Sequence, residues 1–472
     1  MVLYRLLRAV LRIPVQVFFR QIEVIGAENI PETGTRAAMI AGNHPNSLLD
    51  PLLIIATAGR VVRFAAKDVL FKTLPLRILL RGLGAVPVAR PADHGPGKGQ
   101  GDKPGQSTTG VKVDNNQMFA ALSQVLAGGG AMGIFPEGLS HDLAQLQKLK
   151  TGAARIALDV AHRYDQPVDV VPVGLTYIHP RRFRSRVVVW YGAPIEVGQD
   201  WAERYARDDR EAVRALTDEI DTAMRELTVN AEDWQTARVL DAVRRLYQPA
   251  EIELWQRVEL ARRFNHGFAG VRHVPEVHQT VAAVTSYLQR LRALDLDDRD
   301  VQREVSAAQV IAKTGLRVLD ALVWAPLALP GLLLQMPVAA LIRWAGVKLA
   351  PRKDVIGTTK LVLGLLLVPL VHAVLVAALT WHYGWLTGLG FAVLLPVSSY
   401  AALRTLESGM QITETLTTAW RMHGLAQEVR ELRRERDRLQ DQVTLLVDRY
   451  RPTDREVLFP RPAPLAQSED AT

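Results

Sequence analysis

The sequence predicts an α/β fold with a mostly parallel sheet flanked by helices, followed by a helical region, a membrane hairpin and a short coiled coil. From residue 21 to residue 200, short apolar runs alternate with helical patterns, which is typical of a parallel sheet. In the next segment, apolar residues recur at helical intervals without such runs. Three long apolar stretches come after it. We therefore expect five segments, at residues 1–20, 21–200, 201–315, 316–405 and 406–472.

Composition narrows the chemistry before any motif is considered. The 472-residue chain is 48% hydrophobic, carries a formal net charge of +8 and has no cysteine. Disulfides, thiolate nucleophiles and cysteine zinc sites are therefore excluded, which leaves hydroxyl, histidine, carboxylate and lysine chemistry. The charge favours an anionic partner, such as a phosphorylated metabolite or an anionic lipid. Nucleic acid is not expected, because the sequence has no zinc finger, aromatic-rich strand motif or dense basic stripe.

The first 20 residues are predicted to form an amphipathic helix. Arg5, Arg8 and Arg12 interrupt the apolar stretch that a secretory signal would need. Such a helix would lie at a membrane interface, with its arginines among anionic headgroups. A helix packed on the following domain is an equally good interpretation.

The segment from residue 21 to residue 200 contains six predicted strands and four predicted helices. The strands are expected at 37–41, 61–65, 85–89, 131–135, 168–173 and 187–190, and the helices at 51–58, 70–81, 116–127 and 149–163. Parallel sheets of this kind bind ligands at the carboxyl ends of their strands. His44, Arg90 and Glu137 each follow closely on an apolar run, so we expect all three at one edge of the sheet.

His44 and Asp50 are suited to act as a general base and its orienting carboxylate. A spacing of six residues cannot place both side chains on one helical face, because side chains on a helix meet at three or four residues. His44 is therefore expected on a loop before the helix. The alternative is that Asp50 merely caps the helix, with Pro51 in its first position.

Four sequence blocks resemble those of the glycerophospholipid acyltransferase superfamily, to which glycerol-3-phosphate and 1-acylglycerol-3-phosphate acyltransferases belong. The blocks are Asn-His-Pro-Asn-Ser-Leu-Leu-Asp-Pro at 43–51, Gly-Ala-Val-Pro-Val-Ala-Arg at 84–90, Phe-Pro-Glu-Gly-Leu-Ser at 135–140 and Val-Pro-Val-Gly at 171–174. In the second block, Pro87 and Ala89 replace the aromatic and acidic residues common in the superfamily. Five residues separate His44 from Asp50 instead of the usual four, which resembles the subgroup with fungal-type glycerol-3-phosphate acyltransferases.

The resemblance implies an O-acyltransferase that moves a fatty acyl group from acyl-CoA or acyl carrier protein to a hydroxyl of glycerol-3-phosphate or 1-acylglycerol-3-phosphate. His44 is the implied general base, and Asp50 orients it. The residues implied to bind the acceptor are Arg90, at its phosphate, and Glu137, Gly138 and Ser140. No metal is implied, and no cofactor apart from the acyl donor, which is itself a substrate.

Two alternatives remain open at this point. The altered second block is compatible with an acceptor that carries no phosphate. A catalytically inactive membrane scaffold is the other alternative, although the presence of His44, Asp50 and the complete third block argues against it.

Residues 201–315 are predicted to form a helical linker domain, with breaks at Pro249 and Pro275. We assign no chemistry to this segment. Its histidines, His266, His273 and His278, are scattered along the segment and are expected to be structural or exposed.

Three apolar stretches, at 321–342, 361–380 and 385–403, approach the length of about 20 residues that a spanning helix needs. The loop 343–360 and the tail after residue 404 are basic, so both are expected in the cytoplasm. With the catalytic domain also cytoplasmic, the first stretch, which contains three prolines, is predicted to be re-entrant or interfacial. The other two stretches then form a spanning hairpin. A three-span topology with the tail outside is the alternative.

The last helical pattern has an apolar seam with steps of four and three residues, typical of a coiled coil. The seam consists of Leu425, Val429, Leu432, Arg436, Leu439, Val443 and Leu446. It predicts a short coiled coil and, through it, a homodimer. The alternative is a single helix that packs on the body of its own chain. Residues 452–472 are predicted to be a disordered tail.

Overall fold

The structure, a computed structural model, describes residues 2–67, 74–88, 116–249, 252–302 and 307–451. The chain divides into two units. The first comprises Met1–Asn230 and Leu333–Ala392, and the second comprises Ala231–Leu332 and Val393–Thr472. The predicted tail at 452–472 lies outside the described residues.

The first unit is built around a sheet with eight described strands. They are β1 (Phe19–Ile25), β2 (Ala37–Gly42), β3 (Val62–Lys67), β4 (Val86–Val88), β5 (Ala131–Ile134), β6 (Val168–Tyr177), β7 (Ser185–Tyr191) and β8 (Ile195–Val197). Their order is β1-β7-β6-β2-β5-β3-β4, with β8 beside β6. All pairs are parallel except those of β6 with β7 and with β8. The predicted fold class is confirmed.

Two of these strands, β1 and β8, escape the sequence pattern. β1 pairs at the end of the sheet, and its exposed Arg20 and Gln21 break the apolar run that would have identified a strand. β8 has three residues, which is too short for an alternation to be recognised.

Helices cover both faces of this sheet. One face carries α1 (Val2–Phe18) and α2 (Leu49–Thr57), with α3 (Leu74–Gly82) beside α1. The other face carries α4 (Asn116–Ala127), α5 (Gly152–Tyr164), α6 (Gln199–Arg207) and α7 (Asp209–Leu227). Both faces of β2 are therefore buried, with Ile40 in one apolar core and Met39 in the other. This double burial explains the continuous apolar sequence of β2.

The N-terminal helix α1 packs on the first unit. Tyr4 and Phe18 are buried there, and Arg12 Nε donates a hydrogen bond to the carbonyl oxygen of Ala56 at 3.0 Å. The opposite face leaves an apolar row exposed, formed by Leu6, Val10, Ile13 and Val17. Packing on the domain is thus observed, and contact of the exposed row with a membrane surface stays a prediction.

The boundary between the units differs from the predicted one at residue 200. α7 buries one face in the apolar core beneath the sheet, through Ala212, Leu216, Ile220 and Met224. The other face of α7 is charged, so its composition resembles that of the helices that follow. The composition therefore did not reveal that α7 belongs to the first unit. The division therefore falls after Asn230.

The second unit contains α8 (Trp234–Tyr247), α9 (Leu254–Val271), α10 (Pro275–Ala293), α11 (Asp298–Gln302) and α15 (Ala426–Tyr450). The seam of α15 is buried in a core shared with α8 and α10, which contribute Leu246 and Tyr287. Arg436 is also buried, and its Nε donates to Asp298 Oδ1 at 3.1 Å. The predicted homodimer through this seam is therefore not supported, because the chain's own helices already occupy it.

In the part of the chain that the structure describes, three helical stretches are long and apolar enough to cross a membrane, over Thr314–Lys348, Lys353–Tyr383 and Trp385–Met422. They belong to α12 (Ala307–Lys348), α13 (Ile356–Tyr383) and α14 (Trp385–Gly424). The chain is thus suited to membrane association.

The first of these stretches is a continuous helix, so a re-entrant hairpin at 321–342 is wrong. Beside Pro330, Ser398 of α14 enters the hydrogen-bond ladder of α12. The Ser398 hydroxyl donates to the carbonyl oxygen of Leu327 at 2.6 Å and accepts from the Gly331 amide at 2.7 Å. A side chain thus bridges two backbone groups that would pair directly in a regular helix.

Candidate active site

The carboxyl ends of three neighbouring strands form the site. β6, β2 and β5 are adjacent and parallel, so all three end at the same edge of the sheet. His44 follows β2, Glu137 follows β5, and Tyr177 ends β6. The His44 amide donates to Glu137 Oε1 at 2.8 Å, so these two predicted residues do meet. Arg90, the third residue expected at this edge, lies outside the described residues.

His44 and Asp50 form a hydrogen-bonded pair, with 2.8 Å between His44 Nδ1 and Asp50 Oδ2. The Asp50 side chain is completely buried, whereas 18% of the His44 side chain is exposed. Because a carboxylate only accepts hydrogen bonds, the His44 proton lies on Nδ1 and the lone pair on Nε2. In the described part of the chain, Nε2 has no protein partner. It is therefore free to accept a proton from a hydroxyl group.

Asp50 does not cap α2, which corrects the alternative stated from the sequence. The helix begins at Leu49, its N-cap residue is Leu48, and no side chain caps it. Asp50 lies in the first turn, and its Oδ2 accepts a bond from the Asn46 amide at 2.8 Å. The loop between His44 and Asp50 thus folds back over the carboxylate, which brings together two side chains that a single helix would separate.

Tyr177 is a site residue that sequence reasoning missed. Its hydroxyl donates to Asp50 Oδ1 at 2.6 Å. Burial, followed by the charge of Asp50, raises the pKa of Tyr177 well above its ordinary value, so the phenol stays a donor. The one available signal was its position, three residues beyond the fourth block at the end of an apolar strand.

Asp50 receives hydrogen bonds on both oxygens. Burial raises the pKa of Asp50 above its ordinary value, and the hydrogen bonds from His44, Tyr177 and the Asn46 amide offset only part of that rise. Three donors converging on one carboxyl group favour the ionised form. The donor geometry, opposed by burial, thus favours a negative charge beside the His44 ring.

Aromatic side chains fix the plane of the His44 ring. The Phe135 ring stacks on it, with 4.1 Å between ring centroids and 5° between planes. Phe64 in turn stacks on Phe135 at 5.6 Å. Phe135 opens the third sequence block, so this block supports the proposed base as well as the expected acceptor site.

Glu137 holds the loop that carries His44. It is 4% exposed, and its Oε2 accepts from the Gln147 amide at 2.8 Å and pairs with His141 Nε2. Burial alone would raise the pKa of Glu137, but the bonds from His141 and from the two backbone amides outweigh burial and hold the pKa below its usual value. Both carboxylate oxygens are thus engaged within the protein. Contact between Glu137 and an acceptor stays a prediction.

Ser140 and Gly138 complete the third block. Ser140 Oγ accepts from the Ser47 amide at 3.0 Å, so this hydroxyl also holds the loop that carries His44. Gly138 has a φ of +80°, which favours glycine, and the Lys150 side chain lies against the space that a Cβ would occupy. An acceptor role for these two residues stays a prediction.

Histidine and acidic residues near the site are paired with other protein groups. His141 bonds to Glu137, and Asp142 pairs with Arg181. Among the residues that the structure describes, no three histidine or acidic side chains are arranged to hold a metal ion.

Two family models match this chain. One, described as Acyltransferase, matches residues 21–176, and the other, described as Glycerol-3-phosphate acyltransferase 2 C-terminal domain, matches residues 239–454. The first contains all four of the sequence blocks, the last of which ends at residue 174. The second covers the helical and membrane segments, for which the sequence blocks offered no resemblance.

Three curated relatives align with most of the chain. Glycerol-3-phosphate O-acyltransferase 2 of Saccharomyces cerevisiae is 27% identical over 85% of this chain and 70% of its own length. An uncharacterized acyltransferase of Schizosaccharomyces pombe is 27% identical over 96% and 81%. Glycerol-3-phosphate O-acyltransferase 1 of S. cerevisiae is 26% identical over 78% and 60%.

The 1-acyl-sn-glycerophosphate acyltransferase of Thermotoga maritima is a structural neighbour at 20% sequence identity and a TM-score of 0.30, over 45% of this chain and 79% of that one. The resemblance inferred from the four sequence blocks is confirmed by the family models and the curated relatives. The chain contains an acyltransferase domain followed by a glycerol-3-phosphate acyltransferase C-terminal domain, and it is homologous to the glycerol-3-phosphate acyltransferases.

Proposed function

We propose that the protein transfers a fatty acyl group from acyl-CoA or acyl carrier protein to a hydroxyl of glycerol-3-phosphate or 1-acylglycerol-3-phosphate in phospholipid synthesis. The observation that carries the proposal is the His44–Asp50 pair, with Nε2 free at the carboxyl edge of the sheet. Five residues separate His44 from Asp50, as in the subgroup with fungal-type glycerol-3-phosphate acyltransferases. This spacing favours glycerol-3-phosphate as the acceptor.

In this mechanism, His44 Nε2 takes the proton of the acceptor hydroxyl while the hydroxyl oxygen attacks the thioester carbonyl carbon. The carbonyl oxygen becomes an oxyanion in a tetrahedral intermediate. Asp50 stabilises the imidazolium that forms at His44, because its charge lies 2.8 Å from Nδ1. No covalent enzyme intermediate is needed, in agreement with the absence of cysteine.

Collapse of the intermediate breaks the carbon–sulfur bond, and the leaving thiolate takes the proton from His44. The products are an ester and a free thiol, and the enzyme returns to its starting state. A positioned base accounts for a rate factor of about 10² to 10⁴. The remaining acceleration comes from positioning of the substrates and stabilisation of the oxyanion.

An acceptor panel tests this function. Purified protein with acyl-CoA should acylate glycerol-3-phosphate or its 1-acyl form and leave glycerol unmodified, because the Arg90 guanidinium matches phosphate oxygens. Arg90→Ala should raise the KM for the phosphorylated acceptor at least tenfold, the order expected for loss of a charged hydrogen bond. Equal activity on glycerol would favour the non-phosphorylated acceptor, and no transfer to any acceptor would favour the scaffold.

The active site and the start of α13 lie on the same side of the membrane in our proposal. Thr358, in the first turn of α13, is hydrogen-bonded to Leu48 of the catalytic loop at 3.1 Å. In the sequence from Leu48 to Thr358, one of the candidate spans occurs, the apolar helix Thr314–Lys348. A single crossing by that helix would separate the two bonded residues, so we infer that it does not cross. α13 and α14 then form a spanning hairpin, with the catalytic domain and tail in the cytoplasm.

Single-cysteine labelling tests this topology, because the natural chain has no cysteine. In intact cells, an impermeant maleimide should label Tyr383→Cys, which precedes the turn between α13 and α14. Asp441→Cys, on exposed α15 surface, should be labelled only after the cells are opened. Labelling of Asp441→Cys from outside would establish the three-span alternative.

A further inference from the structure

The first turn of α13 contacts the catalytic loop directly. Gly357, Thr358 and Leu361 are buried in the first unit, although they come near the start of a long apolar helix. Thr358 Oγ1 accepts a hydrogen bond from the Leu48 amide and donates one to the carbonyl oxygen of Asn46, both at 3.1 Å. Both partners belong to the loop between His44 and Asp50.

The loop depends on side chains for its backbone hydrogen bonds. From His44 to Leu48, every backbone N–H donates to a side chain, and Pro45 has no N–H to donate. The acceptors are Glu137 for His44, Asp50 for Asn46, Ser140 for Ser47 and Thr358 for Leu48, at 2.8, 2.8, 3.0 and 3.1 Å. Three of these acceptors belong to the sequence blocks, and the fourth lies 310 residues away from its donor.

The loop also needs external support because of its conformation. Ser47 has a φ of +51°, in the left-handed region that residues other than glycine rarely adopt. Such a conformation persists where surrounding contacts hold it in place. Thr358 bonds to the residues on both sides of Ser47 and therefore braces this turn of the chain.

Gly357 lets α13 approach closely enough for these bonds to form. A Cβ at this position would lie 2.8 Å from Asn46 Oδ1 and 2.9 Å from the carbonyl oxygen of Pro180. Lys360, one turn along the helix, donates from Nζ to the carbonyl oxygen of Arg181 at 2.7 Å. Asn46 Nδ2 donates to Pro180 at 2.9 Å. The connection between β6 and β7 thus contacts both α13 and the loop between His44 and Asp50.

We propose that Thr358 is a positioning residue of the acyl-transfer site, through which the first turn of membrane helix α13 sets the conformation of the loop that carries His44. The inference rests on the proposed acyltransferase function and adds the membrane region to the site. Asp50 and Phe135 fix the ring of His44, whereas Thr358 fixes the backbone that carries it. The site is therefore complete only when α13 is docked.

Thr358→Val tests this proposal in the full-length protein in lipid nanodiscs, with acyl-CoA and glycerol-3-phosphate as substrates. It keeps the branched shape and removes both hydrogen bonds to the loop. We expect kcat to fall roughly 10- to 100-fold, as for a small displacement of a reacting group, with the KM of both substrates within about twofold of wild type. Thr358→Ser retains the hydroxyl and should restore kcat to within about threefold of wild type.

Thr359→Val is the matched control, because Thr359 Oγ1 donates to Val355 within its own helix at 3.0 Å. It should behave as wild type. An equal loss of kcat in Thr359→Val, or no restoration by Thr358→Ser, would overturn the proposal. So would wild-type kcat in Thr358→Val.

Hydrogen exchange provides a measurement that is independent of activity. In Thr358→Val, the amides of residues 46–48 should lose protection while those of β2 keep theirs. Loss of protection in β2 as well would mean that Thr358 supports the fold rather than the loop, which overturns the proposal. Exchange is read without substrate. An inactive wild-type protein would therefore refute the proposed function, and exchange alone would decide the role of Thr358.

Discussion

We expect His44→Ala to lower kcat/KM for acyl transfer by about 10²- to 10⁴-fold, the contribution of a positioned general base. The loss follows because Nε2 of His44 is the atom at this edge that is free to take the acceptor proton, among the residues described. The measurement is acyl transfer by purified protein from labelled acyl-CoA to glycerol-3-phosphate. The KM values should change little, since the imidazole acts mainly in the transition state.

His273→Ala is the control for this experiment. His273 is exposed on the second unit and has no proposed chemistry, so its replacement should leave the rate unchanged. Full activity of His44→Ala would refute the mechanism. Equal losses in both variants would point to a general effect of removing a histidine.

Asp50→Asn should lower kcat by up to about 10⁴-fold, the loss seen when the orienting carboxylate of a catalytic histidine is made neutral. The amide cannot stabilise the imidazolium that forms at His44, and its nitrogen must face one of the donors that now bond to the carboxylate. Removal of a buried charge stabilises the fold and the donor left unpaired destabilises it, so the melting temperature should change little. The pair of measurements, kcat and Tm, therefore separates a functional charge from a structural one.

Tyr177→Phe refines the test of Asp50, because it removes one donor and leaves the charge in place. We expect kcat to fall about tenfold, which corresponds to the loss of one hydrogen bond to a charged group. The double variant His44→Ala/Asp50→Asn should be no slower than His44→Ala alone, because residues that act as a unit are not additive. Additive losses would show that Asp50 acts independently of His44 and would contradict the dyad.

The sequence alone determined the α/β architecture and the meeting of His44, Asp50 and Glu137. The alternation of apolar runs and helical patterns identified six strands, because strands buried on both faces have continuous apolar sequences. The rule that parallel strands end at one edge then placed His44 and Glu137 together, and the structure brings them within hydrogen-bonding distance. These features depend on local patterns, which a sequence displays directly.

Only the tertiary structure decided what contacts these residues. Tyr177 bonds to Asp50 across 127 residues and Thr358 to Leu48 across 310. The position of Tyr177 after the fourth block places it near the site but does not name Asp50 as its partner, and Thr358 has no comparable signal. The seam of α15 shows the same limit. Its spacing predicts burial against another helix. The spacing does not specify whether that helix comes from a second chain or, as observed, from α8 and α10 of the same chain. Which surfaces meet is determined by packing between distant segments, and local periodicity does not encode the partner.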